Sequence, residues 1–584
     1  MQSTTRGRAR RRFELVLIKP SHYDDSGYVI QWVKSAVPSN ALAMLNGLAL
    51  DCAERQVLGQ DVDIVVTGYD ETNTRIRPDR IARRIQAAGG HGMVALVGVQ
   101  SNQFPRAMDI ARPLREAGIQ VCIGGFHVSG CLAMLPELPA DLKQAQLLGI
   151  SLFAGESEGR LDAVLQDADR RELAPLYNYL DDLVDLTHAV HPILPADRIK
   201  RNIGHFTSFD AGRGCPFECS FCTIINVQGR HSRRRSPEQV EKLVRANTAQ
   251  NIHSFFITDD NFARNKDWEA ILDRLIVLRE EQGILIHLTI QVDTLCHRIP
   301  RFIEKCGRAG VRKVFIGLES INPESLAGAK KRQNKLGEYR RTMQAWRSIR
   351  ALTVAGYIVG FPNDTPESVA HDIEVIKREL PVDMLMLTCM TPLPGSADHR
   401  DLYRRGAPMD ADMNRYDLTH VTMDHAHMSR GEWERTYQAA WDAYYTPEHI
   451  ETIMRRGRAS GISVGKLLFQ AVWSYGAMRF EGVHPMEGGY LRRRIRTTRR
   501  PGLPLENALS FYPTQIFRVA RTLIAYLTMA ARYAPLRRRL KRDLQARNYS
   551  DVALNPVSDD EAESLLLSDS EATRPGPPRE ARAS

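Results

Sequence analysis

Cys215, Cys219 and Cys222 sit on one short segment with the spacing C-x3-C-x2-C. Thiolates this close in sequence can converge on one inorganic centre. On a four-iron cluster, three of them leave one iron without a protein ligand. An open iron binds a small molecule through an amine and a carboxylate, which turns an electron store into a catalytic centre. Zinc is the rival occupant, but a closed zinc site takes four nitrogen or sulfur ligands, typically including a second Cys or His pair. No second pair is present: Cys52, Cys122, Cys131, Cys296, Cys306 and Cys389 are scattered, mostly in apolar surroundings that suit buried free thiols. Nine cysteines in 584 residues are also too sparse for a disulfide scaffold.

A loop of ligands needs a frame. From His205 onward strand and helix signals alternate six times, with candidate strands at 206–209, 254–258, 284–292, 313–317, 351–359 and 384–389. Ser236 and Pro237 mark one helix start by cap and first-turn chemistry. Six beta-alpha units of this size imply a curled parallel sheet, whose functional residues belong at the strand carboxyl ends. The Cys loop follows the first strand. Asp259 and Asp260 end the second, Gln291 and Asp293 the third, and Glu319 the fourth. Upstream, 13–18, 63–67, 93–99, 120–123 and 149–153 read as five short buried strands separated by amphipathic helices, a doubly wound parallel sheet. Its carboxyl-end loops carry His22, Ser101, Gly124, Gly125, His127, Ser129, Gly155 and Glu156. Ligands of such sheets bind there.

The cysteine spacing, with aromatic Phe221 before the last cysteine, resembles the signature of the radical S-adenosylmethionine (radical SAM) superfamily. The resemblance implies an enzyme with a [4Fe-4S] cluster on Cys215, Cys219 and Cys222, and S-adenosylmethionine on the open iron. Reductive cleavage of that molecule gives a 5'-deoxyadenosyl radical in a six-stranded partial TIM barrel. It also implies contacts to S-adenosylmethionine from Phe221, Asp259 or Asp260, Gln291 and Glu319, the last toward ribose hydroxyls. The segment 13–166, with its GGxHxSG and GExEG elements, looks like the cobalamin-binding domain that precedes many such cores. On that likeness His22, Ser101, Gly124, Gly125, His127, Ser129, Gly155 and Glu156 would face cobalamin. One departure stands out: the D-x-H-x-x-G motif, whose histidine ligates cobalt in many cobalamin domains, is absent, and His22 follows Pro20 rather than Asp at that offset. The domain therefore binds cobalamin without a histidine, uses His22, or has become a scaffold.

The expected class is α/β: a cobalamin-binding-like doubly wound sheet, a partial (β/α)6 TIM barrel and a helical C-terminal region. The expected division is a basic disordered start at 1–12, the sheet domain at 13–166, a linker at 167–200, the radical SAM core at 201–445, helices at 446–550 and a disordered tail at 551–584. Coupling the two domains implies cobalamin-dependent methylation of an unactivated carbon. The alternatives are a cobalamin-independent rearrangement or cyclisation and, from another class, an iron-sulfur or zinc regulator of nucleic acid. The net charge of +10 gathers in arginine runs that lack interleaved aromatics, so solvated surface, not nucleic acid, is the expectation. Partners are a small-molecule or lipid substrate and an electron donor such as flavodoxin or ferredoxin. With no signal core and an oxygen-sensitive cluster, the cytoplasm is the expected compartment. No catalytic acid or base is assigned; His205, His231, Tyr357, His425 and His427 are left out. Finally, 516–542 carries apolar residues at helical spacing followed by Arg537, Arg538, Arg539, Lys541 and Arg542. It suits either a membrane interface with peripheral contact or packing against the barrel.

Overall fold

Apolar runs bounded by glycine, proline and polar turns become the strands of two parallel sheets, as segments covered on both faces must. The computed structural model describes residues 10–557. Its first part contains β1 (Arg11–Lys19), β2 (Gln31–Ser35), β3 (Val62–Asp70), β4 (Gly92–Leu96), β5 (Gln120–Gly124), β6 (Ser151–Ala154) and β7 (Leu176–Asn178). Six of these pair in the order β3-β1-β4-β5-β6-β7, all parallel. Separate apolar clusters cover the two faces of the sheet. The order reverses between β1 and β4, so the crevice for a ligand lies beyond their carboxyl ends.

The second part contains β8 (Phe206–Phe209), β9 (Gly212–Arg213), β10 (Arg233–Arg234), β11 (Ser254–Ile257), β12 (His287–Val292), β13 (Val311–Glu319), β14 (Leu352–Val359) and β15 (Met384–Cys389). The six long strands pair in sequence order, parallel throughout, as the expected partial barrel. Strand alternation divides the two faces. In β13, Val314, Ile316 and Leu318 are fully buried against the helices, while Lys313, Phe315 and Glu319 border the lumen.

Helices dominate the C-terminal part, including Pro447–Ala459, Val464–Gly476, Ala508–Arg532 and Ala534–Arg542. One strand, β16 (Gly489–Arg493), returns to pair antiparallel with β2. Sequence periodicity does not reveal this ladder, because its partners lie at opposite ends of the chain.

Three expected boundaries change. Arg11 and Arg12 open β1, with Arg11 ion-paired to Asp169 at 2.6 Å, so only 1–9 of the basic start lies outside the described residues. The expected linker supplies β7, the sixth strand of the first sheet. Of the expected tail, 558–584 lies outside the described residues, whereas Asp551 pairs with Arg456 at 2.7 Å and Ala553 is buried.

Candidate active site

The Cys loop begins at β9, whose short antiparallel ladder with β10 closes its base. Asp259, at the end of β11, accepts hydrogen bonds from the backbone N–H groups of Ala211 (2.6 Å) and Gly212 (2.8 Å), and from Asn265. Asp260 accepts from the Gly214 N–H at 3.1 Å. Gly214 has φ +90°, and a Cβ there would lie 2.5 Å from the His231 carbonyl oxygen, so no other residue fits. Burial pushes the Cys215 thiol up to about 11 and the Cys222 thiol up to about 12, opposed by backbone N–H groups of Phe217 and Ile224 respectively. Cys219 adds to both shifts through its charge, which places the three sulfurs in one electrostatic neighbourhood. Among the described residues no three His, Cys, Asp or Glu side chains gather around a single-ion site. Cysteines on a cluster bind separate irons and need not meet at one point.

Around the loop, Phe221 stacks edge-on against Phe361 at 6.4 Å, with the Lys331 ammonium 5.9 Å from its ring centre. Glu319 has φ +64°, at a break in register between β13 and β14. An acidic residue in left-handed backbone at a strand end is the kind of strain functional sites retain. Its Oε1 accepts a hydrogen bond from Lys331. Gln291 donates to the Asp259 carbonyl at 3.3 Å.

Phe221, Asp260, Gln291 and Glu319 all border one cavity of about 1890 Å³, and so do His22, Ser101, Gly124, Gly125, Ser129, Gly155 and Glu156 from the first sheet. The two sets of strand ends face each other across it. From there one arm of the cavity runs down the face of the first sheet between Leu15, Met93, Phe153, Leu161 and Val164. Sheet–helix interfaces are normally close-packed, so an open apolar slot here marks space kept for a ligand. A second arm enters the barrel lumen and continues past Phe256, Phe315, Val354 and Lys313 to the opposite end.

Two expected residues are elsewhere. Asp259 is buried off the cavity, pushed up to about 7 mainly by burial, and holds the Cys-loop backbone. His127 is buried as well, bonded to Ser101 Oγ (3.1 Å) and Asp141 (2.8 Å) and packed on Phe104, so it orients Ser101 and does not meet a ligand. His22 borders the cavity, but its Nε2 is 2.9 Å from Glu487 and its Nδ1 is buried without a partner. Burial opposes its charge, yet Glu487 raises its pKa. Glu487 thus holds His22 through Nε2.

Sequence reasoning missed the clamp between the sheets. Arg213, inside the Cys segment, reaches Glu156 (3.1 Å), Glu158 (2.5 Å) and Asp210 (3.0 Å), and Arg233 reaches Glu156 at 2.5 Å. The GExEG acids thus hold the Cys loop. Pairing across domains has no local pattern to reveal it. Gly130 completes the contact: a Cβ there would lie 2.3 Å from the Pro394 carbonyl oxygen. Tyr357, one of the residues left out, faces away from the lumen and donates to Asp372 at 2.7 Å.

A curled parallel sheet with three cysteines on the loop after its first strand defines a radical SAM domain, and residues 211–376 match the Radical SAM superfamily. The chain thus carries a radical SAM domain, with a further α/β sheet ahead of the barrel. It is similar to the hopanoid C-2 methylase of Rhodopseudomonas palustris (strain TIE-1), with 26% identity over 342 residues, 56% of this chain and 62% of that protein. The match thus spans less than two thirds of that relative's length. In fold it resembles the radical SAM methyltransferase TsrM from Kitasatospora setae, solved with cobalamin and a [4Fe-4S] cluster: TM-score 0.53, 14% identity, 79% of this chain and 99% of that one. It likewise resembles the cobalamin-dependent radical enzyme OxsB, solved with aqua-cobalamin: TM-score 0.53, 12% identity, 96% of this chain and 84% of that one.

Proposed function

We infer that this protein is a cobalamin-dependent radical SAM enzyme that methylates an unactivated carbon of a small-molecule or lipid substrate. The observation that carries this reading is the single cavity onto which the Cys-loop residues and the strand ends of the first sheet both open. Cys215, Cys219 and Cys222 would hold the [4Fe-4S] cluster, and Phe221, Asp260, Gln291 and Glu319 would surround S-adenosylmethionine. Ser101, Gly124, Gly125, Gly155 and Glu156 would border a corrinoid, with the apolar slot below them taking its remainder. His22 borders the same cavity with its Nε2 held by Glu487. When bound, these groups supply reductive cleavage of S-adenosylmethionine and a transferable methyl group.

The protein's own part is placement and exclusion. The Arg213 and Arg233 clamp keeps the Cys loop against the first sheet. The apolar lumen wall of Phe256, Phe315, Val354 and Ile358 holds a substrate carbon away from water. A substrate held in that lumen is elongated and largely apolar, in keeping with a relative named for acting on a hopanoid. Electrons come from a one-electron donor of the flavodoxin or ferredoxin type. The test is anaerobic turnover of cluster- and corrinoid-loaded protein with methyl-labelled S-adenosylmethionine and an apolar lipid extract. Near-equal 5'-deoxyadenosine and S-adenosylhomocysteine, with label in a lipid product, is expected. 5'-deoxyadenosine alone from corrinoid-replete protein would move the assignment to rearrangement or cyclisation.

A further inference from the structure

The helix Ala508–Arg532 does not pack as an amphipathic helix should. Only Phe511 and Thr522 are buried among its 25 residues. Leu509, Pro513, Ile516, Ala520, Leu523, Leu527 and Ala531 recur at three- and four-residue spacing, which places them on one helix face. That face is in water: Leu509 is 86% exposed, Ile516 71%, Phe517 69% and Leu527 68%. Its opposite side is the one that packs, through Tyr526 against Gly476 and Phe480. Packing within the chain therefore accounts for the side that carries Phe511, Thr522, Tyr526 and Met529 and leaves the apolar side of Ile516 and Leu527 unexplained.

Charge selects what covers it. The next helix, Ala534–Arg542, buries Leu536 and Leu540 and exposes Arg537, Arg538, Arg539, Lys541 and Arg542, none of which pairs with an acid among the described residues. An apolar face beside unneutralised cations matches a bilayer bearing anionic headgroups. No helix among the described residues is long and apolar enough to cross a membrane, so this one lies in the interface plane. The cavity supplies an independent reason for a lipid surface. Its lumen arm ends between Lys466 and Phe469 of Val464–Gly476 and Arg537 and Lys541 of Ala534–Arg542. Both of these helices pack against Ala508–Arg532.

We propose that Ala508–Arg532 and Ala534–Arg542 form a docking face for an anionic membrane, and that a membrane-held amphiphile enters the barrel through the mouth between Phe469 and Lys541. The second clause rests on the lumen being the substrate site; the first does not. The test floats full-length, cluster-loaded protein with vesicles of phosphatidylcholine alone or mixed with phosphatidylglycerol, and needs no turnover. Flotation with the mixed vesicles at low salt, weakened by high salt, is expected. Leu527→Asp combined with Ile516→Asp should abolish it with circular dichroism and cluster absorbance unchanged, because both positions are already in water. Arg538→Gln should lower partitioning by roughly fivefold. No flotation at low salt would overturn the proposal. So would equal flotation of the aspartate variant, or a dimer of the full chain that the same variant dissolves, which would make the face a contact between copies. Loss of methyl transfer with flotation intact would fault the catalytic reading and leave the docking face standing.

Discussion

Cys219 and Glu319 illustrate two kinds of site residue. Replacing Cys219 with Ala removes one of the three proposed ligands, so the expected outcome is loss of the cluster's charge-transfer absorbance after reconstitution; an unchanged spectrum would remove the loop from metal binding. Glu319 is held by Lys331, whose side chain is 8% exposed, so truncating it would strand a cation. Glu319→Gln keeps a partner for Lys331. It should leave the cluster spectrum intact and weaken S-adenosylmethionine binding by roughly 1–2 kcal/mol, about five- to thirtyfold in Kd by equilibrium dialysis. Residues of the first kind are legible in sequence, because adjacent positions on one loop must be near in space. Those of the second kind are half legible. Position after a strand points to Glu319, but nothing local distinguishes it from Asp259, whose carboxylate turns inward onto backbone N–H groups, or His127, which is spent on Ser101 and Asp141.

At the level of elements, both sheets are legible because fully buried parallel strands leave apolar runs at regular intervals. Short elements and pairings between distant segments leave no such trace, as β7 and the β2–β16 ladder show. The link through His420 is equally silent. It lies between Asp25 of the first β-strand's loop, at 3.0 Å, and Asp417, at 2.9 Å. Burial works against its charge, but hydrogen bonds to Asp25 and Asp417 hold its pKa up at about 10. A folded pKa above the ordinary 6.5 means the stabilisation is full below that pH and is lost as pH rises through 10. His420→Gln should therefore lower stability by about 1 kcal/mol at pH 6, a figure discounted because Asp25 is mostly in water. The gap from wild type should close toward pH 10 in paired thermal melts. A gap independent of pH would mean that packing, not charge, is the contribution.

For the molecule as a whole, the lumen makes a prediction that neither sheet makes alone. A complete barrel fills its interior with side chains; here Val354 borders an open lumen. Val354→Trp should obstruct it while leaving the Cys loop and the first sheet untouched. Substrate methylation should fall on the order of a hundredfold, as misplacement of reacting atoms does, while 5'-deoxyadenosine continues to form without product. If methylation is unchanged, the substrate approaches from elsewhere.

The antiparallel ladder between β2 and β16 also governs how the chain is made. On the ribosome the first sheet has all its parallel strands early, yet β2 waits for β16. At ordinary synthesis rates that delay is on the order of tens of seconds. Throughout it Trp32, later buried against Gly489 and hydrogen-bonded to the Glu487 carbonyl, is exposed on an unpaired strand edge. Such an edge is a template for association with other chains. Chaperone cover should raise the yield of soluble protein, and a fragment ending before β16 should aggregate however well its first sheet folds.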